Sequence, residues 1–411
     1  MNNFLDILNN GKTQFHVVKE CEDTLSANDF TMLNLADDWG TLTPGKYMVT
    51  PFPSMLVAWV IGEATSSLRV AMAHTDFPAL KLKTNPDIKK SGYLMANVEP
   101  YGGLITSTWF DRPLGLAGKV VVTGDNAFAP KTVLYDSEKP ICIIPNLAPH
   151  LKKDKNADID VQKELIPLVS MAEGGSETDK LLRYVAKEAD VDYEDILDYD
   201  LYLYVCEEPQ IIGMKDEFIS SPRIDNTSSV WAITKALTES NITNQIAVGV
   251  FFDNEEIGSR SKQGADSTLL RDIIERIVPD KKMIYEGFNI SVDVAHGLHP
   301  NYAEKSDVTN QIILGNGVAL KTSASQRYVT DSEAGAVITA LCQEKGIKLQ
   351  RQVNRSGMAG GQTLGPIVSS YLPMKSVDMG VPVLAMHSAR ELMHRDDYLE
   401  LVKLLKEYYQ Y

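Results

Sequence analysis

Cysteine is scarce in this sequence, and its four cysteines are widely spaced. They are Cys21, Cys142, Cys206 and Cys342, and no two of them form a CxxC pair. Disulfide frameworks and cysteine metal sites usually show closely grouped cysteines at recognisable spacings. We therefore expect four reduced, buried thiols.

Long hydrophobic runs are missing from the amino-terminal part of the chain. The longest run there, residues 54–62, is too short to cross a bilayer, because a spanning helix needs about 20 apolar residues. Residues 1–15 also contain no basic stretch that leads into an apolar one, as a secretory signal would. We expect a cytoplasmic protein with no membrane partner.

Positive charge is in deficit. The chain has 40 Lys and Arg residues against 55 Asp and Glu residues, and its formal net charge is −15. Binding to nucleic acid needs a basic footprint for the phosphates, so nucleic acid is not an expected partner. The same charge does not attract acidic peptides from a distance, although a local basic pocket can still bind them.

Apolar material, by contrast, is plentiful: 44% of the 411 residues are hydrophobic. Single cores stop growing at roughly 250–300 residues, so we expect two domains. Between residues 83 and 218 the sequence changes to short strands separated by Gly and Pro, and this predicts an inserted, smaller, β-rich domain. Residues 1–82 and 219–411 then form the main domain.

Within the inserted region, the predicted strands include 118–123 and 139–144. The charged segment 151–164 predicts a solvated loop.

Strands and helices alternate in the main domain. Runs rich in β-branched residues predict strands, and apolar residues at helical spacing predict helices. The predicted strands are 54–62, 68–74, 245–252, 288–294, 347–352 and 382–386, and the predicted helices are 13–25, 226–240, 267–277 and 332–345. This alternation predicts an α/β fold, an α/β/α sandwich with a largely parallel central sheet. Such sheets bind ligands outside the carboxyl ends of their strands.

Chemically useful side chains stand at or just after these strand ends. The five segments are MAHTDFP (72–78), SPRIDNTSS (221–229), FFDNEEIGS (251–259), SVDVAHGLHPNY (291–302) and LAMHSARE (384–391). Each alone is a weak signal, because an acidic residue there is more often a turn or helix cap. Together they bring two His and four carboxylates to one crevice, a ligand set that suits a pair of zinc ions.

The adjacent Glu255 and Glu256 are the most informative pair. Consecutive residues at a strand end point in different directions. One carboxylate can therefore hold a metal while its neighbour acts as general base on water. The alternative is an exposed acidic turn.

In His74-Thr75-Asp76, the two ionisable side chains lie on the same side of an extended chain. Asp76 can then accept the second imidazole N–H and fix the tautomer of a metal-binding His74. The alternative is a turn aspartate beside a core histidine.

Eight segments, in this order, resemble the M18 (aspartyl aminopeptidase-like) family of metallopeptidases. They are FHVVKECEDTL (15–25), YGGLITSTWFDRPLGLAG (101–118), DEFISSPRIDN (216–226), FDNEEIGSRSKQGADS (252–267), DVAHGLHPNYAEK (293–305), SQRYVTD (325–331), GQTLGPI (361–367) and MHSARE (386–391). The family layout is a catalytic domain interrupted by a smaller β-rich oligomerisation domain. The resemblance therefore implies that the main domain is catalytic.

The resemblance also implies a ligand set for two Zn²⁺ per subunit. One ion is expected on His74, Asp225 and Asp293, and the other on the bridging Asp225, Glu256 and His387. Cobalt or manganese can occupy such sites as well. Glu255 falls at the family's general base, and Asp76 at the partner that orients the first histidine.

Further residues match family positions that contact substrate. The resemblance implies that His296 contacts the peptide and that Lys321 and Tyr328 bind its first side chain. For Lys321 the alternative is an ordinary exposed lysine. His150 matches a histidine that reaches a neighbouring subunit's active site. Self-association, as a dodecamer built from dimers, is therefore expected.

The implied reaction is removal of the N-terminal residue from peptides, with a preference for Asp or Glu if Lys321 points into the pocket for the first side chain. Three alternatives stay open. They are an M18-type enzyme of neutral or broad specificity, a related di-metal hydrolase such as an M42-type aminopeptidase or a carboxypeptidase-like deacylase, and a non-catalytic scaffold that keeps the family assembly.

Overall fold

The structure is a computed structural model that describes residues 1–151, 158–172, 178–278, 280–358 and 360–411. The predicted loop at 151–164 lies partly outside these residues, and its last four residues form a short helix.

The described residues form ten α-helices. They are α1 Asn2–Asn10, α2 Gln14–Ser26, α3 Val161–Glu164, α4 Lys180–Glu188, α5 Ile224–Glu239, α6 Leu269–Ile277, α7 Lys282–Tyr285, α8 Ser332–Lys345, α9 Leu364–Ser369 and α10 Arg395–Gln410.

The same residues form twenty strands. They are β1 Thr31–Met32, β2 Gly45–Phe52, β3 Met55–Ile61, β4 Ser67–His74, β5 Ala79–Lys90, β6 Tyr93–Tyr101, β7 Leu114–Asn126, β8 Ala129–Asp136, β9 Leu168–Met171, β10 Ile196–Val205, β11 Gln210–Ile212, β12 Phe218–Ser221, β13 Gln245–Phe252, β14 Phe288–Val292, β15 Ala295–His296, β16 Val318–Thr322, β17 Leu349–Val353, β18 Lys375–Gly380, β19 Pro382–Leu384 and β20 Glu391–His394.

The central sheet has nine strands in the order β1-β2-β3-β13-β4-β14-β18-β16-β17. Its middle strands β13, β4, β14 and β18 run parallel to one another, so their carboxyl ends meet at one edge. All eight residues of β13 are buried, as expected for a strand covered on both faces. The predicted largely parallel sheet is confirmed.

Helices cover both faces of this sheet. One face packs against α1, α2, α5, α8 and α10, with Leu8, Ile233 and Leu401 fully buried there. The other face packs against α6 and α9, whose Ile273 and Val368 are buried. The predicted α/β/α sandwich is therefore confirmed.

Helix α8 shows how local sequence sets these boundaries. Asp331 precedes it, and its side chain accepts a hydrogen bond from the backbone N–H of Ala334. Gly346 ends it with a left-handed φ of +60°, a conformation that glycine adopts without strain. The observed bounds equal the predicted 332–345.

A second sheet, of six antiparallel strands, has the order β8-β7-β10-β5-β6-β9 and a hydrophobic core of its own. Its strands extend from Ala79 to Val205. A third sheet has five strands in the order β11-β12-β20-β19-β15, and these strands are spread along the chain between Gln210 and His394. The division into domains at 83 and 218 stays a prediction.

One predicted strand, 139–144, is wrong. Only Cys142 and Ile143 form isolated bridges, to Leu114 and Leu168. Pro140 lacks the N–H that a continuous ladder would need.

The cysteines and the possibility of a membrane-spanning helix were also considered in the sequence analysis. All four cysteines are free, three of them buried and Cys206 half-buried. Among the described residues, no helix is long and apolar enough to cross a membrane.

Candidate active site and metal centre

Three neighbouring parallel strands deliver the first group of site residues. His74 is the last residue of β4, and Asp293 directly follows β14. Glu255 and Glu256 lie in a 3₁₀ turn that follows β13. Because β13, β4 and β14 are adjacent, these side chains converge at one edge of the sheet.

Two more site residues come from irregular backbone. Asp225 lies at the start of α5, yet its φ of −76° and ψ of 111° are not helical. His387 follows β19 with a left-handed φ of +66°, which is uncommon for any residue other than glycine.

The carboxylate of Asp225 lies between the two imidazoles. Its Oδ1 is 3.6 Å from His74 Nε2, and its Oδ2 is 3.4 Å from His387 Nε2. On the first side, Asp293 Oδ1 is also 3.6 Å from His74 Nε2. On the second side, Glu256 Oε2 is 3.4 Å from His387 Nε2. Two groups of oxygen and nitrogen atoms therefore share one aspartate.

Both imidazoles are oriented by backbone carbonyls. His74 Nδ1 is 3.0 Å from the carbonyl oxygen of Asp76, and His387 Nδ1 is 3.0 Å from that of Gly103. A carbonyl oxygen only accepts, so each Nδ1 carries the proton and donates it. Each Nε2 then faces the carboxylates and is the nitrogen available to bind a metal ion.

Asp76 has further partners besides the expected His74. Its Oδ1 is 3.4 Å from His74 Nδ1, longer than the hydrogen bond to its own carbonyl oxygen. Its carboxylate also accepts the backbone N–H groups of Glu255 and Glu256, each at 3.1 Å. Tyr101 donates its hydroxyl to Asp76 Oδ2 at 2.7 Å. Asp76 thus fixes the turn that carries the two glutamates.

The site concentrates negative charge in a buried place. Burial raises the pKa of Glu255 to about 8, and the carboxylates of Asp293, Asp76 and Asp225 add to this effect. Burial likewise raises the pKa of Glu256 well above its usual value, and Asp225 contributes next. Buried carboxylates so close together are stabilised either by protonation or by a bound cation.

The pKa of His387 is also raised, but for a different reason. Burial lowers the pKa of His387, but the carboxylates of Asp225 and Glu256 outweigh burial and raise it to about 10. The surroundings therefore favour positive charge at the position between the imidazoles and the carboxylates.

The donor atoms fit zinc. Ligand atoms bound to one tetrahedral zinc ion at about 2.0–2.2 Å lie roughly 3.3–3.6 Å apart. The four histidine–carboxylate distances of 3.4 and 3.6 Å fall in this range. In addition, Asp225 Oδ1 and Glu256 Oε1 are buried and have no hydrogen-bond partner among the described residues. Ligand atoms of His74, Asp225 and Glu256 lie within 4.8 Å of one another.

A cavity of about 650 Å³ opens onto these residues. Its lining includes the predicted substrate residues His296, Lys321 and Tyr328. Lys321 is only 2% exposed, and its Nζ lies 3.4 Å from Asp293 Oδ2 and 5.4 Å from the centre of the Tyr328 ring. His150 lies in an exposed turn outside this lining.

Two residues of this centre have no role in the sequence-based prediction. Tyr101 is a partner of Asp76, and Glu391 accepts backbone N–H groups from Asp225 and His387. Glu391 stands in the MHSARE segment, four residues after His387, but only the folded backbone shows what its carboxylate contacts.

Comparison with known proteins identifies the family of the chain. The model of a family described as aminopeptidase I zinc metalloprotease (M18) matches residues 7–409. The chain belongs to the M18 family. It is therefore a metallopeptidase, and the family description names zinc as its metal.

Similar proteins extend over the whole chain. A probable M18 family aminopeptidase 2 of Clostridium novyi (strain NT) is 41% identical over 423 residues, covering 99% of this chain and 98% of that protein. The cryo-electron microscopy structure of the Ape4 and Nbr1 complex matches with a TM-score of 0.94 at 32% identity, covering 99% of this chain and 85% of that one. The mApe1 dodecamer of S. cerevisiae matches with a TM-score of 0.86 at 26% identity, covering 99% and 95%.

Proposed function

We propose that this M18 aminopeptidase holds two zinc ions per subunit and uses Glu255 as general base to release N-terminal residues, with a preference for Asp and Glu. The observation that carries the proposal is the position of Asp225. Its two carboxylate oxygens face two different histidines, at 3.6 and 3.4 Å. A carboxylate in that position can bridge two metal ions.

Each ion has its own additional ligands. His74 and Asp293 complete the first set, and Glu256 and His387 complete the second. Both sets contain only nitrogen and oxygen donors, so cobalt or manganese can replace zinc.

Zinc in such sites supplies Lewis acidity, which activates water and polarises a carbonyl group. Glu255 takes the proton of the attacking water and later delivers it to the leaving amine nitrogen. Its place is fixed because Asp76 accepts the N–H of Glu255 at 3.1 Å. The carboxylates around Asp225 attract the positively charged α-amine of the substrate, which favours cleavage at the first peptide bond.

The preference for acidic residues rests on Lys321. Its ammonium group lines the cavity and lies 5.4 Å from the centre of the Tyr328 ring. An acidic first side chain could pair with this cation, although Asp293 already neutralises part of its charge. A neutral or broad preference is the alternative within the same family.

We further propose that the chain assembles as a dodecamer built from dimers, and the similar mApe1 structure, itself a dodecamer, supports self-association. Residues 83–218 form the inserted domain that mediates self-association, and His150 reaches a neighbouring subunit's active site. The exposure of His150 leaves it accessible for such a contact.

Replacing Glu255 with Gln tests the central role. The amide keeps the size of the side chain but cannot accept a proton, so kcat should fall by roughly 10²- to 10⁴-fold. Zinc content, measured by mass spectrometry of the metal, should stay at two ions per subunit, since Glu255 is not a ligand.

The matched control is Glu63→Gln, which changes an exposed glutamate just after β3, beside the start of β13, whose other end leads to Glu255. It should keep both the rate and the zinc content. Near-normal turnover of the Glu255→Gln enzyme would refute the assignment of the general base.

A further inference from the structure

A second buried carboxylate, that of Glu391, lies behind the proposed metal centre. Glu391 is 3% exposed and begins β20. Its Oε2 accepts the backbone N–H of Asp225 at 2.9 Å, and its Oε1 accepts that of His387 at 2.8 Å. Each oxygen therefore holds the backbone of one expected metal ligand.

These two backbone positions need an external partner. Asp225 has non-helical φ and ψ at the first turn of α5, and His387 has a φ of +66°. Neither N–H takes part in a strand ladder or a regular helix turn, because the local backbone is irregular. Such conformations persist only where the surrounding structure holds them.

The arrangement parallels the one at Asp76. That carboxylate accepts the N–H groups of Glu255, the proposed general base, and of Glu256, a proposed metal ligand. One buried carboxylate, Asp76, therefore fixes the backbone of Glu255 and Glu256, and a second, Glu391, fixes the backbone of Asp225 and His387. Asp76 has an expected role in the family resemblance, whereas Glu391 has none.

We propose that Glu391 is a positioning residue, which sets the separation of the Asp225 and His387 side chains for the metal ion that they share. Their ligand atoms, Asp225 Oδ2 and His387 Nε2, lie 3.4 Å apart. This inference rests on the proposed two-zinc site. It adds a residue that contacts neither metal nor substrate.

The test is metal affinity in Glu391→Gln. The amide oxygen can still accept one N–H, but its NH₂ group cannot accept the other. Loss of a partner that orients ligands typically lowers metal affinity by about 10- to 100-fold. We expect a loss of that size for the ion on Glu256 and His387, and a smaller loss for the ion on His74 and Asp293, measured by chelator competition.

Cobalt substitution gives a second readout. The visible absorption bands of the bound cobalt report ligand geometry, so Glu391→Gln should change the bands of the ion near His387. If that variant does not fold, Glu391→Asp serves instead, because it keeps the charge but is too short to reach both N–H groups.

Asp397 offers a matched control. This buried carboxylate also accepts two backbone N–H groups, from Gly315 and Gly317, each at 2.7 Å. It takes no part in the lining of the active-site cavity. Asp397→Asn should lower the melting temperature but leave metal affinity and the cobalt spectrum unchanged.

The outcomes separate the two proposals. If the unaltered protein binds fewer than two ions, the proposed centre fails. If it binds two, and Glu391→Gln binds both as tightly as before or loses affinity no more than Asp397→Asn, the positioning role of Glu391 is refuted. A selective loss near His387 supports it.

Discussion

The ammonium group of Lys321 is a buried cation in a cavity whose other charged neighbours are mostly carboxylates. It pairs with Asp293, so its charge serves both the proposed metal ligand and any acidic substrate side chain. The effect of replacing Lys321 must therefore be measured as the ratio of kcat/KM for an acidic substrate to kcat/KM for a neutral one. Any change at Asp293 affects both substrates alike and cancels in this ratio.

Lys321→Met removes the charge and keeps most of the volume. A hydrogen bond to a charged group contributes about 1.5–3 kcal/mol, which corresponds to roughly 10- to 100-fold. We expect kcat/KM for Asp- and Glu-derived substrates to fall by that factor relative to a Leu-derived substrate.

Lys375→Met is the control, since Lys375 is exposed and pairs only with Glu333 at 3.0 Å among the described residues. Its substrate ratio should not change. An unchanged ratio in Lys321→Met would count against the acidic preference and favour a broad one.

At the residue scale, the sequence indicated which side chains belong to the site better than it indicated what each side chain contacts. The spacing of His74 and Asp76 correctly places both at the end of β4. It does not reveal that the carboxylate of Asp76 turns toward Glu255, because that contact crosses 179 residues of chain. The contact of Glu391 with the backbone of Asp225 was missed for the same reason, since it crosses 166 residues.

Strand β18 supports the site from the next position in the sheet. Its last residue, Gly380, lies against Asp293, and an added Cβ would come within 2.1 Å of the Asp293 carbonyl oxygen. No side chain larger than hydrogen fits there unless the backbone that carries Asp293 moves.

Gly380→Ala should therefore destabilise the fold by about 1–3 kcal/mol, as overpacking usually does. It should also weaken zinc binding, because Asp293 is displaced. Calorimetry gives the melting temperature, and chelator competition gives the zinc affinity.

Gly335→Ala on α8 is the comparison. Its Cβ would have no neighbour closer than 3.4 Å, and alanine favours a helix over glycine by roughly 0.5–1 kcal/mol. That variant should be as stable as the original or more so. Wild-type zinc affinity in Gly380→Ala would show that Asp293 is not a ligand.

At the scale of secondary-structure elements, uniformly apolar strands were predictable from the sequence. Strands that contain a buried charged residue were not. The buried run at 245–252 was predicted with the bounds that β13 has. The short strands β16 and β18 were not predicted, because each carries a buried charged residue, Lys321 or Asp378. Those charges interrupt the apolar pattern that identifies a buried strand.

Self-association is the question at the scale of the whole molecule. A dodecamer of 45.5 kDa chains would have a mass of about 546 kDa, and analytical ultracentrifugation can test for it. If His150 serves a neighbouring subunit's active site, His150→Ala should lower kcat without changing zinc content.

Co-assembly gives a sharper test. His150→Ala and Glu255→Gln subunits should each be poorly active alone. Mixed particles should recover part of the activity. In them, the active site of a His150→Ala subunit keeps its own Glu255 and can receive His150 from a neighbouring Glu255→Gln subunit. No recovery in particles shown to be mixed would contradict the exchange of His150 between subunits.

The wide spacing of the proposed metal ligands along the chain has a consequence for the order of events during protein synthesis. The proposed ligands come from positions as distant as His74 and His387, and the whole six-stranded sheet is made between the first ligand and the second. No fragment of a growing chain can therefore assemble the centre before its last part emerges. Since metal binding is coupled to folding in such cases, capture of both zinc ions would require synthesis at least as far as His387, and chains that stop before it would lack peptidase activity.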